Sequence, residues 1–303
     1  MAALETIRGA LPEPPDGEIW IGDDTAVVAA PPKGSLLLAA DVIVEKVHFD
    51  LAMVQPADVG WKALAVNVSD IAAMGGKPLH ALVTVVGAGA KMIAGLARGL
   101  AEASAAYGCA VVGGDLSAGP CLVVSVAITG SAPPGRAVLR SGARPGDSIF
   151  VTGPLGRSAA GLRALRAEVA GAGAAAFDLA AAYRRPEARV PEGLAASAGG
   201  ARAMIDVSDG LGIDLDRLAT ASGVGVVLET VPVAEGATRE DALGGGEDYE
   251  LVFAAPEPEA VTESFSAARL RPPRLIGVCV ADPAVRRVGD EVLYASGWEH
   301  RLR

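Results

Sequence analysis

Short apolar runs of strand length alternate with longer stretches of helical spacing along most of this chain. Ser35 to Val44 is a continuous apolar run interrupted only by Asp41, and it reads as a strand. Pro56 to Met74 reads as a helix. Proline sits in the first turn, where its missing N–H costs little, and Trp61, Leu64, Val68 and Ile71 recur at helical spacing and should face a core. Gly75-Gly76, with Pro78 just beyond, ends it. Leu79 to Val86 is a strand, Lys91 to Tyr107 a helix stopped by Gly108, and Cys109 to Val112 and Cys121 to Thr129 two more strands. Further strands fall at Ser148 to Thr152, Ala203 to Val207, Val224 to Leu228 and Leu251 to Ala255, and near Leu275–Val280 and Glu291–Tyr294. The Ala-rich stretch 157–182 reads as two helices, and a helix after Leu211 runs to Ser222. Arg184-Arg185-Pro186 and Val190-Pro191 break the helical pattern. Residues 1–21 form a partly helical, Pro-rich arm, and Val27 to Ala30 a short strand. Strands and helices alternating in this way predict an α/β architecture.

Ser131 to Asp147 has the composition of a linker, with Pro133-Pro134-Gly135 and then Arg136, Arg140 and Arg144. It divides the 303 residues into two domains, 1–135 and 136–303, as the length suggests. No run of about 18 apolar residues occurs, so a membrane span is not expected. The N-terminus lacks the basic-then-apolar plan of a signal peptide, which favours the cytoplasm. Cys109, Cys121 and Cys279 are widely spaced and read as reduced, buried side chains rather than a disulfide or zinc site. A net charge of −10 argues against nonspecific nucleic-acid binding. It leaves room for phosphorylated ligands if Mg²⁺ joins carboxylates to phosphates.

Carboxylates recur at the ends of the apolar runs: Asp24 in the Gly22-Asp23-Asp24 loop, then Asp41, Asp70, Asp115, Asp206 and Asp209. A carboxylate within an apolar run is costly unless paired or metal-bound. The plain alternative ends the strand at Ala40 and leaves Asp41 solvated. Asn67 and Asp70 lie three apart on one helix face, among apolar neighbours that point to a buried helix. Gly113-Gly114-Asp115 follows a strand, where glycines permit close backbone approach to a ligand. Asp206 and Ser208 share a face in extended geometry. Ser208 or Asp209 then stands at a helix N-terminus, either as an N-cap or as part of a phosphate site. Arg136, Arg140 and Arg144 either solubilise a connector or neutralise phosphates. Val66–Asp70 and Ile205–Asp209 echo each other over five residues, which fits two related halves or chance. There is no Gly-x-x-x-x-Gly-Lys-Ser/Thr loop, no protein-kinase motif set and no Gly-x-Ser-x-Gly elbow, and His48, His80 and His300 show no zinc spacing. The residues alone point to Mg²⁺-dependent phosphate chemistry.

Seven motifs in order carry a resemblance. They are Gly22-Asp23-Asp24; Asp41 with His48-Phe49; Lys62 to Gly75; Gly113-Gly114-Asp115; Arg140 to Asp147; Asp206 to Leu211; and Gly245-Gly246-Glu247-Asp248-Tyr249-Glu250-Leu251. Together they resemble the thiamine-monophosphate kinase branch of a superfamily of ATP-dependent enzymes that includes aminoimidazole ribonucleotide synthetase and selenophosphate synthetase. The resemblance runs from about residue 20 to the end. It implies an α/β (α+β) fold of two domains, with mixed sheets flanked by helices. The N-terminal domain would bind ATP and Mg²⁺ and dimerise through its sheet. The C-terminal domain would complete the nucleotide and substrate site. By resemblance, Asp24, Asp41, Asp70, Asp115, Asp206 and Asp209 hold several Mg²⁺ ions. Asp24 is the ligand of its loop, and Asp23 either shapes the loop or stands behind the metal ligands. Gly114, Asp115, Arg140 and Ser208 contact ATP, and His48, Glu247 and Trp298 contact thiamine monophosphate. Where relatives often carry hydroxyl residues before Asp41, this chain has Ala39 and Ala40, which can offer a metal only backbone carbonyls.

The activity so implied is ATP-dependent phosphorylation of thiamine monophosphate, by direct in-line transfer without a general base. The partners implied are the two substrates and a second copy of the chain, with no nucleic acid and no membrane. The alternatives are another ATP-dependent enzyme of the superfamily, a ribonucleotide cyclo-ligase or a selenophosphate synthetase-like protein, and a nonenzymatic nucleotide-binding scaffold. The selenophosphate enzymes normally carry a reactive Cys near the N-terminus, and no Cys precedes Cys109 here.

Overall fold

A computed structural model of the chain describes residues 2–13, 15, 34–171 and 177–299. The expected strand at Val27–Ala30, the Gly22-Asp23-Asp24 loop and His300 lie outside the described residues. The chain divides into two compact units, Met1–Ile71 with Lys77–Gly135 and Ala72–Gly76 with Arg136–Arg303.

The first unit contains α1 (Ala2–Ala10), β1 (Ser35–Val44), α2 (Pro56–Ala73, of which its last two residues group with the second unit), β2 (Lys77–Val86), α3 (Ala90–Tyr107), β3 (Ala110–Ser117) and β4 (Val123–Ala132). Its sheet has the order β1-β4-β2-β3. Strand β4 is antiparallel to both β1 and β2, and β3 is parallel to β2. One face is a dry interior. Val83, Val85, Val124, Val126 and Ile128 are buried there with Leu64, Val68 and Ile71 of α2. Helices α2 and α3 cross closely, so a Cβ on Gly99 would stand 1.8 Å from the carbonyl oxygen of Ala57. Trp61, expected in the core, is only half-buried and packs its ring against Tyr107 at 5.6 Å.

The other face of this sheet is apolar and open. Leu36, Leu38 and Val42 of β1 and Leu82 of β2 are exposed, Leu38 to 72%. A strand covered on one side normally alternates apolar with polar residues, whereas a strand buried on both reads as a continuous apolar run. β1 has the second kind of sequence and, in one chain, the first kind of environment.

The second unit contains β5 (Ser148–Val151), α4 (Arg157–Val169), α5 (Phe177–Arg184), α6 (Val190–Ala198), β6 (Ala203–Asp206), α7 (Leu211–Ser222), β7 (Gly225–Leu228), α8 (Arg239–Gly244), β8 (Leu251–Ala255), α9 (Pro258–Ala267), β9 (Arg274–Val280), β10 (Arg286–Val288) and β11 (Glu291–Val292). The sheet order is β11-β10-β7-β9-β5-β8-β6, and only β10 and β7 are parallel. Both faces are covered, and side-chain alternation sorts the strands between two cores. Val252 and Ala254 of β8 join one cluster with Ile149, Val151, Ile205 and Leu215. Leu251, Phe253 and Ala255 join the other with Phe150, Met204 and Phe265. Phe253 stacks between Phe150 at 5.2 Å and Phe265 at 6.3 Å.

Several expectations change. The linker stretch is pinned rather than loose. Strand β4 runs into it as far as Ala132, Val138 N–H donates to Met74 O at 3.0 Å, and Ala143 is buried. Val190-Pro191 starts a helix instead of breaking one, because proline is accepted in a first turn. Strand β10 and helix α8 were not expected. Helix α8 carries a capping box between Thr238 and Asp241, a signal present in the sequence. Cys109 and Cys279 are buried, and burial pushes both thiols up to about 12, but Cys121 is exposed. The five-residue echo has no structural counterpart: Val66–Asp70 lies within α2, and Ile205–Asp209 runs off the end of β6 into a turn.

Candidate functional site

In the first unit, β1, α2 and β3 carry the expected residues. The Asn67 side chain is buried in α2. Its Oδ1 accepts from Asp41 N–H at 2.9 Å, and its Nδ2 donates to Ala63 O at 2.9 Å. Asp70 follows one turn later on the same helix and is half-buried. Asp41 is exposed on edge strand β1. Asp115 is exposed on β3, at the opposite edge. The registers run Asp41–Val126, Val126–Val83 and Val83–Gly114, so three strand spacings, about 14 Å along the sheet, separate the two edges. Asp115 is one residue beyond Gly114, which turns it to the other face. Asp41 and Asp115 of one chain therefore do not share an ion, since metal–oxygen bonds are only about 2.0–2.6 Å long. Gly114 is required by the sheet itself, because a Cβ there would stand 1.8 Å from the Val83 carbonyl oxygen.

His48 sits in a tight loop after β1. Its Nδ1 accepts from Val44 N–H at 3.0 Å, so the neutral ring carries its proton on Nε2. The buried Lys62 donates from Nζ to the His48 carbonyl at 3.1 Å and fixes the loop onto α2. Ala39 and Ala40 have no side-chain oxygen, as the sequence requires.

In the second unit, residues from three distant stretches come together. Strand β6 ends at the buried Asp206, and the chain turns through Ser208, Asp209 and Gly210 into α7. Glu247 N–H donates to Ser208 O at 2.7 Å, Tyr249 N–H to Val207 O at 2.9 Å, and Trp298 N–H to Asp209 O at 3.0 Å. The structure thus gathers Asp206, Ser208, Asp209, Glu247 and Trp298. Glu247 and Tyr249 both have left-handed backbone, with φ of 56° and 53°. Such residues persist only where their surroundings hold them. Arg140 is exposed, and its carbonyl accepts from Ser222 Oγ at 3.2 Å.

Neither Ser208 nor Asp209 caps α7. The N-cap is Gly210, without a side-chain cap bond. Asp214, in the first turn, does that work: its Oδ2 accepts from Asp209 N–H at 2.9 Å and Gly210 N–H at 3.1 Å. Arg217 bridges Asp214 at 2.7 Å and Asp209 at 2.5 Å. Burial raises the Asp214 pKa against the pull of those bonds. A carboxylate between Ile213 and Leu215 in an apolar first turn was the overlooked signal, since helical side chains lean toward the N-terminus.

The loop carrying Glu247 is anchored by its neighbours. Asp248 accepts from Gly156 N–H at 2.6 Å and Ser158 N–H at 3.2 Å, closing the N-terminus of α4. Burial nevertheless pushes its carboxyl up to about 7. Glu250 is buried in a fork with Arg189, at 2.6 and 3.1 Å, and accepts from Thr152 Oγ1 at 2.5 Å. Burial works against the Arg189 charge, but Glu250, with Glu187 and Glu192, raises its pKa overall. Glu247, Asp248 and Glu250 line a cleft of about 130 Å³ with Arg157, Ser158 and Arg189. Among the described residues no group of three or more His, Cys, Asp or Glu side chains forms a ready metal site.

The fold and these motifs define a class. The family model described as AIR synthase related protein, N-terminal domain, matches residues 22–132, and that for the C-terminal domain matches residues 144–290. Among curated relatives, thiamine-monophosphate kinase of Escherichia coli K12 is 40% identical over 256 residues, covering 80% of this chain and 78% of the relative. That of Bacillus subtilis 168 is 39% identical over 248 residues, covering 77% and 76%. The crystal structure of thiamine-monophosphate kinase from Stenotrophomonas maltophilia K279a superposes with a TM-score of 0.84 at 33% identity, covering 97% of each chain. A structure described as "AaThiL complexed with AMPPCP and TMP" superposes with a TM-score of 0.77 at 34% identity, covering 93% of this chain and 92% of the other. This chain belongs to the thiamine-monophosphate kinase family.

Proposed function

We propose that this protein transfers the γ-phosphoryl group of ATP to the phosphate of thiamine monophosphate, forming thiamine diphosphate. The observation that carries the reading is the meeting of Ser208, Asp209, Glu247 and Trp298 through backbone hydrogen bonds, in a chain of this family. Trp298 offers a flat face to a cationic thiazolium, and Glu247 a complementary carboxylate. His48, protonated on Nε2, offers a donor. Gly114, Asp115, Arg140 and Ser208 are the nucleotide contacts.

The acceptor is a phosphate monoester with a second pKa of about 6, so at neutral pH it is already a nucleophilic dianion. It needs no general base. The obstacle is repulsion between two anions. The donor set, Asp24, Asp41, Asp70, Asp115, Asp206 and Asp209 with the Ala39 and Ala40 carbonyls, is all hard oxygen and fits Mg²⁺. Several ions, rather than one, suit the separation of Asp41 from Asp115. When bound, Mg²⁺ screens the phosphates and stabilises charge in the in-line transition state. Arg140 adds a cation to that screening.

The first unit serves ATP, Mg²⁺ and dimerisation, and the second completes the nucleotide and substrate site. The open face of Leu36, Leu38, Val42 and Leu82 supports a homodimer in which this sheet meets a second copy. Leu38→Asp should convert a dimer to a monomer in sedimentation velocity. An unchanged sedimentation coefficient would remove this face from the interface. No helix among the described residues is long and apolar enough to cross a membrane, and the reading places the enzyme in the cytoplasm without nucleic-acid partners.

The deciding experiment measures ATP consumption with and without thiamine monophosphate and follows thiamine diphosphate by chromatography. Consumption that depends on thiamine monophosphate, with one diphosphate formed per ATP, is expected. ATP turnover indifferent to it would overturn the reading. Incubation with γ-labelled ATP alone should leave no acid-stable label on the protein, because the transfer is direct.

A further inference from the structure

Asp209 is held at its backbone and at one side-chain oxygen. Its N–H donates to Asp214 Oδ2 at 2.9 Å, its carbonyl accepts from Trp298 N–H at 3.0 Å, and its Oδ2 accepts from Arg217 Nη1 at 2.5 Å. Oδ1 is the carboxylate oxygen with no hydrogen bond among the described residues. The same Arg217 nitrogen also donates to Asp214 Oδ1 at 2.7 Å.

Stability alone accounts poorly for that sharing. The Asp214 side chain is 1% exposed and needs a cation. Arg189 serves the buried Glu250 with two nitrogens, whereas Arg217 divides one nitrogen between Asp214 and an Asp209 side chain that is 28% exposed. Water suffices for a carboxylate so exposed, and an ion pair there adds little. The adjacent Asp216 does not compete for Arg217, because Arg286 Nε donates to it at 2.7 Å.

The bond limits what Asp209 can offer a cation. Ca²⁺ takes about six to eight oxygen ligands and accepts both oxygens of one carboxylate, whereas the smaller Mg²⁺ demands near-ideal octahedral geometry. Two oxygens of one carboxylate lie too close together to fill two octahedral corners without distortion. A carboxylate with one oxygen already taken therefore loses more as a ligand for Ca²⁺ than for Mg²⁺.

We propose that Arg217 is a specificity-determining residue for the metal: by occupying Asp209 Oδ2 it restricts Asp209 to one-oxygen ligation and so disfavours Ca²⁺ relative to Mg²⁺. It acts through Asp209 and is a positioning residue, held in place by Asp214. The inference rests on the proposed function, which makes Asp209 a Mg²⁺ ligand, and adds how a wrong ion is rejected.

Arg217→Met tests it. Loss of a cation tightens both ions through charge, so the readout is their ratio. Half-saturating concentrations of Mg²⁺ and of Ca²⁺ are measured from the rise in melting temperature, with a non-hydrolysable ATP analogue present. The ratio should shift toward Ca²⁺ by about tenfold, the low end for a contact to a charged group. Ca²⁺ should also become a stronger inhibitor of Mg²⁺-supported turnover. Arg217→Met combined with Asp214→Asn leaves the net charge unchanged and no carboxylate buried without its cation; it should show the same shift, and it replaces the single variant if that fails to fold. In an Asp209→Asn background Arg217→Met should leave the ratio alone, because an amide has one oxygen to give. Equal tightening of both ions would mean that Arg217 acts by charge only. An unchanged ratio with a lowered melting temperature would mean that it serves stability only, and a shift that persists in Asp209→Asn would mean that another ligand is responsible. Each of these would overturn the inference. A wild type without turnover dependent on thiamine monophosphate would overturn the proposed function and this inference with it. An active wild type whose ratio is indifferent to Arg217 would overturn the inference alone.

Discussion

The Gly245–Glu250 loop and the edge strand β1 both carry expected site carboxylates, but they hold them by different means. The loop is fixed before any ligand arrives. Two left-handed residues flank Asp248, backbone bonds tie Glu247 and Tyr249 to the turn after β6, and Asp248 and Glu250 are bonded on both carboxylate oxygens. Strand β1 carries Asp41 on an exposed edge beside an uncovered apolar face, with its backbone N–H bonded to Asn67 Oδ1. A preorganised loop suits recognition of a fixed organic shape. An exposed carboxylate on a rigid strand suits a ligand that brings its own ordering charge. Mutations should therefore uncouple activity from stability at β1 and couple them at the loop.

The largest effect tests the first half of that contrast. Asp41→Asn and Asp70→Asn should each lower kcat/KM by at least about 100-fold, the scale of losing a charged group that stabilises a transition state, while circular dichroism and melting temperature stay near wild type. Near-normal turnover in both variants, assayed across a Mg²⁺ titration, would remove these residues from the metal set.

The loop should behave in the opposite way. Arg189→Met leaves the Glu250 carboxylate buried without its cation, so unfolding free energy should fall by about 3–5 kcal/mol in urea denaturation. Adding Glu250→Gln to the same chain should recover part of that loss, because the uncompensated charge is then gone. A loss below about 1 kcal/mol for the single variant would show that Thr152 and the backbone suffice to hold Glu250, and that the loop is less dependent on its ion pair than its geometry implies.

These differences mirror what was legible in the sequence. The apolar runs located most strands, because β5, β6 and β8 are buried on both faces and carry few polar residues to confuse the pattern. Helix α8 and strand β10 escaped because each is short and held by tertiary partners, with β10 paired to β7 and to β11. Of the site, residue types showed which carboxylates were unusual but not what they touch. Asp248 and Glu250 stood in a recognised motif, yet their partners at Gly156, Thr152 and Arg189 lie from about 60 to nearly 100 residues away in sequence. Asp214 was hidden by the helix periodicity that surrounds it.

The pH dependence of stability sharpens the account of Asp248. Its folded pKa of about 7 lies above the ordinary value of 3.8. Below about pH 4 the carboxyl is protonated in both states, and its contribution to stability is fully present. As pH rises from 4 to 7 the unfolded chain ionises first, so this contribution is lost, at no more than about 1.4 kcal/mol per pH unit. The gap in unfolding free energy between wild type and Asp248→Asn should therefore move in favour of Asn across that range. Movement the other way would mean that the Gly156 and Ser158 amides outweigh burial and keep the carboxylate charged.

The smallest expected effect marks where the fixed region ends. Arg163 donates to both carboxylate oxygens of Asp241, at 2.6 and 2.7 Å, and so joins α4 to the cap of α8 just ahead of the loop. Where Arg189 meets the two Glu250 oxygens with two nitrogens, Arg163 uses Nη1 alone for both Asp241 oxygens, and its side chain is 52% exposed against 24% for Arg189. Burial raises the Asp241 pKa, and the Arg163 and Thr238 bonds outweigh it to leave the carboxyl below its ordinary value. Solvent screening should nonetheless hold the cost of Arg163→Ala to within about 1 kcal/mol, and most of that cost should vanish in 1 M salt, where the Debye length is about 3 Å. If Arg163→Ala instead destabilised the protein as much as Arg189→Met, with a rise in the KM for thiamine monophosphate, the preorganised region would extend through the α8 cap, and the contrast with β1 would rest on more than the loop.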